Sequence, residues 1–108
     1  MKHGDLVLVR AEGEFSGKPR PCVVVQSDLF NPIHQSVTLC PITSQLVAAP
    51  LFRVSLQPTP INGLKKPCQV MVDKVFNLRR ENITGEIGSL DSDSLLQIDQ
   101  ALRLWLQL

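Results

Sequence analysis

The chain has 108 residues, 11 Lys and Arg against 10 Asp and Glu, a net charge of +1 and 44% hydrophobic residues. That length suits one domain, taken here as residues 1–108, and argues against a two-lobed enzyme with a separate cofactor domain. The apolar fraction argues against disorder, and no stretch approaches the ~18 apolar residues needed to cross a bilayer.

The N-terminus, Met1-Lys2-His3-Gly4-Asp5, meets a charge at once and offers no apolar signal region. Three cysteines, Cys22, Cys40 and Cys68, cannot complete a disulfide set and form no CxxC pair. Each lies in or beside an apolar run, so buried thiols in a reducing compartment, and hence a cytoplasmic protein, are expected.

In chain order, Asp5-Leu6-Val7-Leu8-Val9-Arg10 reads as a first strand, bounded by Gly4 and by Ala11-Glu12-Gly13. A polar connection with Gly17 and Pro19 leads to Arg20-Pro21-Cys22-Val23-Val24-Val25-Gln26, a second strand whose Pro21 is confined to its start. A loop containing Asn31-Pro32 precedes Ser36-Val37-Thr38-Leu39-Cys40, a third strand that runs on through Pro41-Ile42-Thr43. Leu51 to Leu56 alternates apolar with polar residues and predicts a half-buried fourth strand. Pro58, Pro60 and Asn62-Gly63 mark a turn, and Cys68 to Val75 a fifth strand. Residues 77–90 are ambiguous, because Gly85 and Gly88 interrupt any helix. Asp91-Ser92-Asp93-Ser94 then offers N-cap oxygens, and Leu95, Ile98, Leu102, Trp105 and Leu106 recur at helical spacing. Trp105 is expected to anchor that helix under the sheet. Five short strands and one terminal helix, without alternation, predict a small antiparallel barrel.

Charge is unevenly spread. Residues 1–80 hold ten basic and five acidic groups, whereas residues 81–108 hold Arg103 and five acidic ones. A basic body suits an anionic ligand, although a solvated face gives the same numbers. The chain contains no phosphate loop, no GxGxxG and no HExxH, and its two histidines and three separated cysteines lack metal-ligand spacing. No metal or cofactor is expected, and His34 reads as a solvated loop residue.

Two positions carry candidate chemistry. Arg20 opens the second strand after a polar loop, and its planar fork suits a phosphate. The alternative for it is a surface ion pair with Glu12 or Glu14. Thr43 ends the third strand beside Ser44 and Gln45, so its hydroxyl reaches the same rim if the second and third strands are neighbours; otherwise it caps a turn. Lys18, Lys65 and Lys66 lie in connecting loops and can add a basic rim.

These residues carry a family resemblance. Gly4 to Val9, Gly17-Lys18-Pro19-Arg20-Pro21-Cys22-Val23-Val24-Val25-Gln26 and Pro41-Ile42-Thr43-Ser44 resemble the MazF/PemK toxins of bacterial toxin–antitoxin pairs. Asn62 to Lys74 and Ile87-Gly88-Ser89-Leu90 continue the likeness to the chain's end. It implies an SH3-like antiparallel β-barrel with a C-terminal α-helix, a homodimer, a cognate antitoxin partner and metal-independent, sequence-specific cleavage of single-stranded RNA. The family's strand-opening Arg falls on Arg20 and its strand-end Thr on Thr43, the implied catalytic pair. Lys18, Ser44, Lys65, Lys66 and Gln69 are the implied RNA contacts. Relatives use an acidic or histidine group in the first loop; here that loop is shorter, and the resemblance leaves Glu12 or Glu14 as the stand-in. Cys68 replaces a hydrogen-bonding residue common in the family.

A guanidinium stays charged and is a poor proton carrier at neutral pH, so Arg20 is expected to stabilise transition-state charge rather than move protons. The competing expectation is a CcdB-like poison of DNA gyrase, which shares the architecture and acts through the end of its terminal helix, where Trp105 lies.

Overall fold

The computed structural model describes residues 1–10 and 18–108. Glu12 and Glu14 therefore lie outside the described residues. Among the described residues seven strands precede one helix: β1 (Asp5–Val9), β2 (Arg20–Val24), β3 (Ser36–Thr43), β4 (Arg53–Leu56), β5 (Cys68–Met71), β6 (Phe76–Arg79), β7 (Ile83–Ser89) and α1 (Ser92–Leu106). All pairings are antiparallel, in the order β4-β5-β3-β2-β1-β7, with β6 also paired to β3. The mainly β, SH3-like architecture with a C-terminal helix is thus the observed one. Residues 77–90, which predicted no definite element, supply β6 and β7.

The apolar runs are strands because both of their faces are covered. On one face Leu6, Val23, Cys40, Ile42, Val54, Leu56 and Val70 pack under Ile98 and Ala101 of α1. On the other, Val7, Val9, Cys22, Val24, Val37 and Leu39 are closed by Met1, Phe76, Leu78 and Ile83. The curl closes through a loop rather than a ladder. Ser89 N–H, at the end of β7, donates to Ile61 O at 3.0 Å, in the connection between β4 and β5. Asn62 fixes that connection: its Oδ1 accepts from Thr59 and Leu64 N–H and its Nδ2 donates to Gln57 O.

Helix α1 begins where the sequence places its cap. The Asp91 carboxylate accepts from Ser94 N–H at 3.1 Å, and hydrogen bonds from Ser94 hold it below the usual carboxylate range. Trp105 corrects the expectation of a core anchor. The helix buries Ile98 and Ala101, whereas Trp105, in its last turn, is half exposed with its ring 5.8 Å from that of Phe52. Phe52 immediately precedes β4, the edge strand, so the helix has reached the margin of the sheet by then.

Cys22 and Cys40 are buried free thiols on opposite faces of the sheet, one in each apolar cluster, so they cannot bridge. Burial pushes both up to about 12, from an ordinary 9.0. Their stabilising contribution is complete below pH 9 and is lost as the pH climbs towards 12, because the unfolded chain releases those protons first. The urea midpoint is therefore expected to fall above pH 9. The Cys22→Val/Cys40→Val double variant, which keeps side-chain volume, should fall less; an equally steep decline would remove the thiols as the cause.

Candidate active site

The ends of five strands meet at one rim. Arg20, the first residue of β2, is opposite Val9, the last of β1. Thr43, the last residue of β3, is opposite Gln69 of β5, which in turn is opposite Ser55 of β4. Between β2 and β3 the pairs are Val24 with Leu39, Val23 with Cys40 and Cys22 with Pro41. The β2–β3 pairs end there, and the same register continued two residues would bring Arg20 opposite Thr43. Pro21 and Pro41 lack N–H donors, which thins the ladder where the rim opens. That continuation would join two paired rows, Val9–Arg20 and Thr43–Gln69–Ser55, into one line. By alternation Arg20 lies on the face of Cys22 and Val24, and Thr43 on that of Val37 and Leu39, which is the same face, so guanidinium and hydroxyl project from the same side. Arg20 is exposed and Thr43 half-buried, as a site open to a polymer requires.

Thr43 also shapes the loop after it, since its Oγ1 accepts from Gln45 N–H at 3.1 Å. An acceptor lone pair is used there, and the hydroxyl hydrogen remains to donate. Gln69, expected to contact RNA, is 8% exposed and engaged within the chain. Its Oε1 accepts from Val47 N–H at 3.1 Å and from Arg53 Nη1 at 3.0 Å, and its Nε2 donates to Val47 O at 2.9 Å. One Nε2 hydrogen is left for any further partner. Ser44, Lys18, Lys65 and Lys66 are exposed, and the lysine pair lies in the connection that enters β5 at this rim. Cys68 faces the core, away from Gln69, and its Sγ donates to Lys66 O at 3.2 Å. Burial raises its thiol above the ordinary value, and Lys66 opposes that shift.

Arg53 is the participant that sequence reasoning passed over. It occupies the polar phase of an alternating strand, where a charged residue reads as surface. Here its Nη1 donates to Gln69 Oε1 and, at 3.2 Å, to Gln45 O. Among the described residues no carboxylate pairs with it. Together with Arg20 and the lysines, it makes the rim cationic.

Neither histidine reaches this rim. His34 precedes the start of β3, the opposite end from Thr43, and its Nδ1 lies 3.1 Å from Ser36 Oγ. His3 precedes β1, bonding Val25 O at 3.1 Å and Asp99 Oδ1 at 3.1 Å. Among the described residues no three His, Cys, Asp or Glu side chains gather as metal ligands would. No helix among them is long and apolar enough to cross a membrane.

The chain is similar to known proteins along nearly its whole length. A family model described as PemK-like, MazF-like toxin of type II toxin–antitoxin system matches residues 2–106. A probable endoribonuclease MazF of Mycolicibacterium smegmatis is 37% identical over 106 residues, covering 98% of this chain and 96% of that protein. Endoribonuclease MazF9 of Mycobacterium tuberculosis is 30% identical over 116 residues, covering 100% and 98%. Among solved structures, a crystal structure of MazF from Deinococcus radiodurans superposes with a TM-score of 0.81 at 23% identity, covering 100% of this chain and 97% of that one. A mycobacterial endoribonuclease in complex with its cognate antitoxin superposes with a TM-score of 0.84 at 18% identity, covering 100% and 96%. At such identities the superpositions speak for the fold.

Proposed function

The chain belongs to the PemK-like, MazF-like toxins of type II toxin–antitoxin systems, and on that premise we propose that it cuts single-stranded RNA at short sequences, with Arg20 and Thr43 at the scissile phosphate. The activity is that of an endoribonuclease, the name its relatives carry. The observation that supports the assignment to this rim is that Arg20 and Thr43 stand at adjoining ends of two paired strands, on one face of the sheet.

In the reaction we assign, the substrate's 2′-oxygen attacks phosphorus and forms the P–O2′ bond as P–O5′ breaks. The 2′-hydroxyl loses its proton and the leaving 5′-oxygen gains one, giving a cyclic phosphate and a free 5′-hydroxyl. This route uses a nucleophile that RNA itself carries, so the protein must position the phosphate and hold its developing charge. Arg20 supplies a permanent cation with two parallel donors, and Thr43 donates to a non-bridging oxygen. Lys18, Ser44, Lys65 and Lys66 flank the path as contacts to the strand. Phe and Trp together make only 5% of the chain and Tyr is absent, so base recognition falls to loop hydrogen bonds more than to stacking.

The protein acts as a homodimer held in check by a cognate antitoxin, and its site of action is the cytoplasm, where both RNA and antitoxin are made. Trp105, packed on Phe52, gives the gyrase-poison alternative no separate support.

Labelled single-stranded RNA incubated with the protein in EDTA is expected to yield discrete fragments ending in cyclic phosphate. Intact RNA, or cleavage only after metal is added, would overturn the metal-free route. Thr43→Val, which keeps the shape and removes the hydroxyl, should lower single-turnover cleavage roughly tenfold. An unchanged rate would leave Thr43 as a turn residue only.

A further inference from the structure

The rim contains a chain of hydrogen bonds behind Thr43 whose use depends on the nuclease reading above. Gln45 N–H donates to Thr43 Oγ1, which decides where the remaining O–H can point. The next peptide unit is held in turn, since the Gln45 carbonyl accepts from Arg53 Nη1, so Gln45 is gripped on both sides of its Cα. The second hydrogen of that nitrogen goes to Gln69 Oε1, and Gln69 grips both the N–H and the C=O of Val47. Two side chains, one from β4 and one from β5, thus pin the backbone that leaves β3 immediately after Thr43.

This arrangement is costly as mere structure. The guanidinium gives up water for neutral acceptors, its Nε is buried without a partner, and among the described residues no carboxylate offsets its charge. An apolar pair would bridge β4 and β5 at lower cost. What it could not do is hold the carbonyl of the residue whose N–H binds the reacting hydroxyl. We infer that Arg53 and Gln69 are positioning residues for RNA cleavage, holding the backbone of Gln45 to Val47 so that the Gln45 N–H stays on Thr43 Oγ1 and Thr43 presents its O–H to the phosphate. Catalytic donors lose much of their effect when displaced by a fraction of an ångström, which is the error such a support prevents.

A double-mutant cycle with hydrogen exchange tests this. Arg53→Lys, which keeps the charge but is one bond shorter and loses the fork, and Gln69→Leu should each lower kcat roughly five- to tenfold, with KM changed less than about twofold. On the Thr43→Val background neither should cause further loss, because the group they position is gone. The Gln45 and Val47 amides should exchange about tenfold faster in both single variants. Losses that multiply with that of Thr43→Val, a change confined to KM, or unaltered amide exchange would overturn the inference while leaving the nuclease reading in place. Wild-type protein that cuts no RNA overturns both. If Gln69→Leu fails to fold, Arg53→Lys carries the test alone.

Discussion

Arg20→Ala is expected to fold as the parent does and to cleave a susceptible RNA about 10²- to 10³-fold more slowly. The loss of rate follows from the charge problem of the reaction. Negative charge builds on the phosphate oxygens as the pentavalent state forms, and a preorganised bidentate cation is worth about 3–4 kcal/mol at that point. The intact fold follows from where the side chain lies. Arg20 is exposed at the first position of β2, so truncating it opens no cavity, and its pairing with Val9 uses backbone groups that Ala retains. A change within about 0.5 kcal/mol in stability is expected, as for other surface positions. Arg20→Lys separates the two components of the role: it keeps the charge, loses the fork and should recover only part of the rate. Single-turnover cleavage and a melting curve on the same preparations decide the matter. A folded Arg20→Ala protein that cuts at the parental rate would remove Arg20 from the reaction.

The parts of this site were unequally visible in the residues themselves. Arg20 and Thr43 stood out as polar groups at strand ends, because β2 and β3 are apolar runs with sharp edges. Their alignment was not readable. Residues 25–35 join the two strands in place of a tight turn, and a register set by a long loop shifts in single steps that each reverse every side chain. Arg53 and Gln69 were harder still. Each sits in a short strand with an ordinary pattern, and their shared purpose exists only once β4 and β5 pair and the loop after Thr43 folds back onto them. The same physics hid β6 and β7. In β6, and over the first four residues of β7, partly buried residues alternate with exposed ones, so no fully apolar face signals either strand. Trp105 shows the reverse failure. Its helical spacing from Ile98 was correct, but spacing cannot tell where the sheet ends beneath the helix.

Gly88 is expected to be the least replaceable glycine on β7, and Gly85, three residues earlier, the control for it. A Cβ added to Gly88 would lie 2.2 Å from Ile61 O, 2.6 Å from Asn62 C and 2.7 Å from Asn62 O, whereas one on Gly85 would meet nothing within 4 Å. The three nearest obstacles at Gly88 are all backbone, so no swing of a side chain relieves them. The obstructing backbone is also the least able to yield. Asn62 is 5% exposed with three hydrogen bonds from its side chain. Gly63, beside it, has a φ of +71°, and a Cβ there would come within 2.2 Å of Ile87 O. Each strand of this crossing needs a glycine because the other passes so close. Gly88→Ala should therefore cost about 3 kcal/mol or more, which lowers the melting temperature by at least about 10 °C in a chain of this size. Gly85→Ala should stay within about 1 kcal/mol of the parent. The consequence extends to chemistry, because the displaced connection carries Lys65 and Lys66 and leads directly into Gln69. At temperatures where Gly88→Ala remains folded, its RNA cleavage should fall while that of Gly85→Ala does not. Equal unfolding midpoints for the two variants would mean that the crossing yields without cost, and that closure of the barrel through this loop contributes little to the fold.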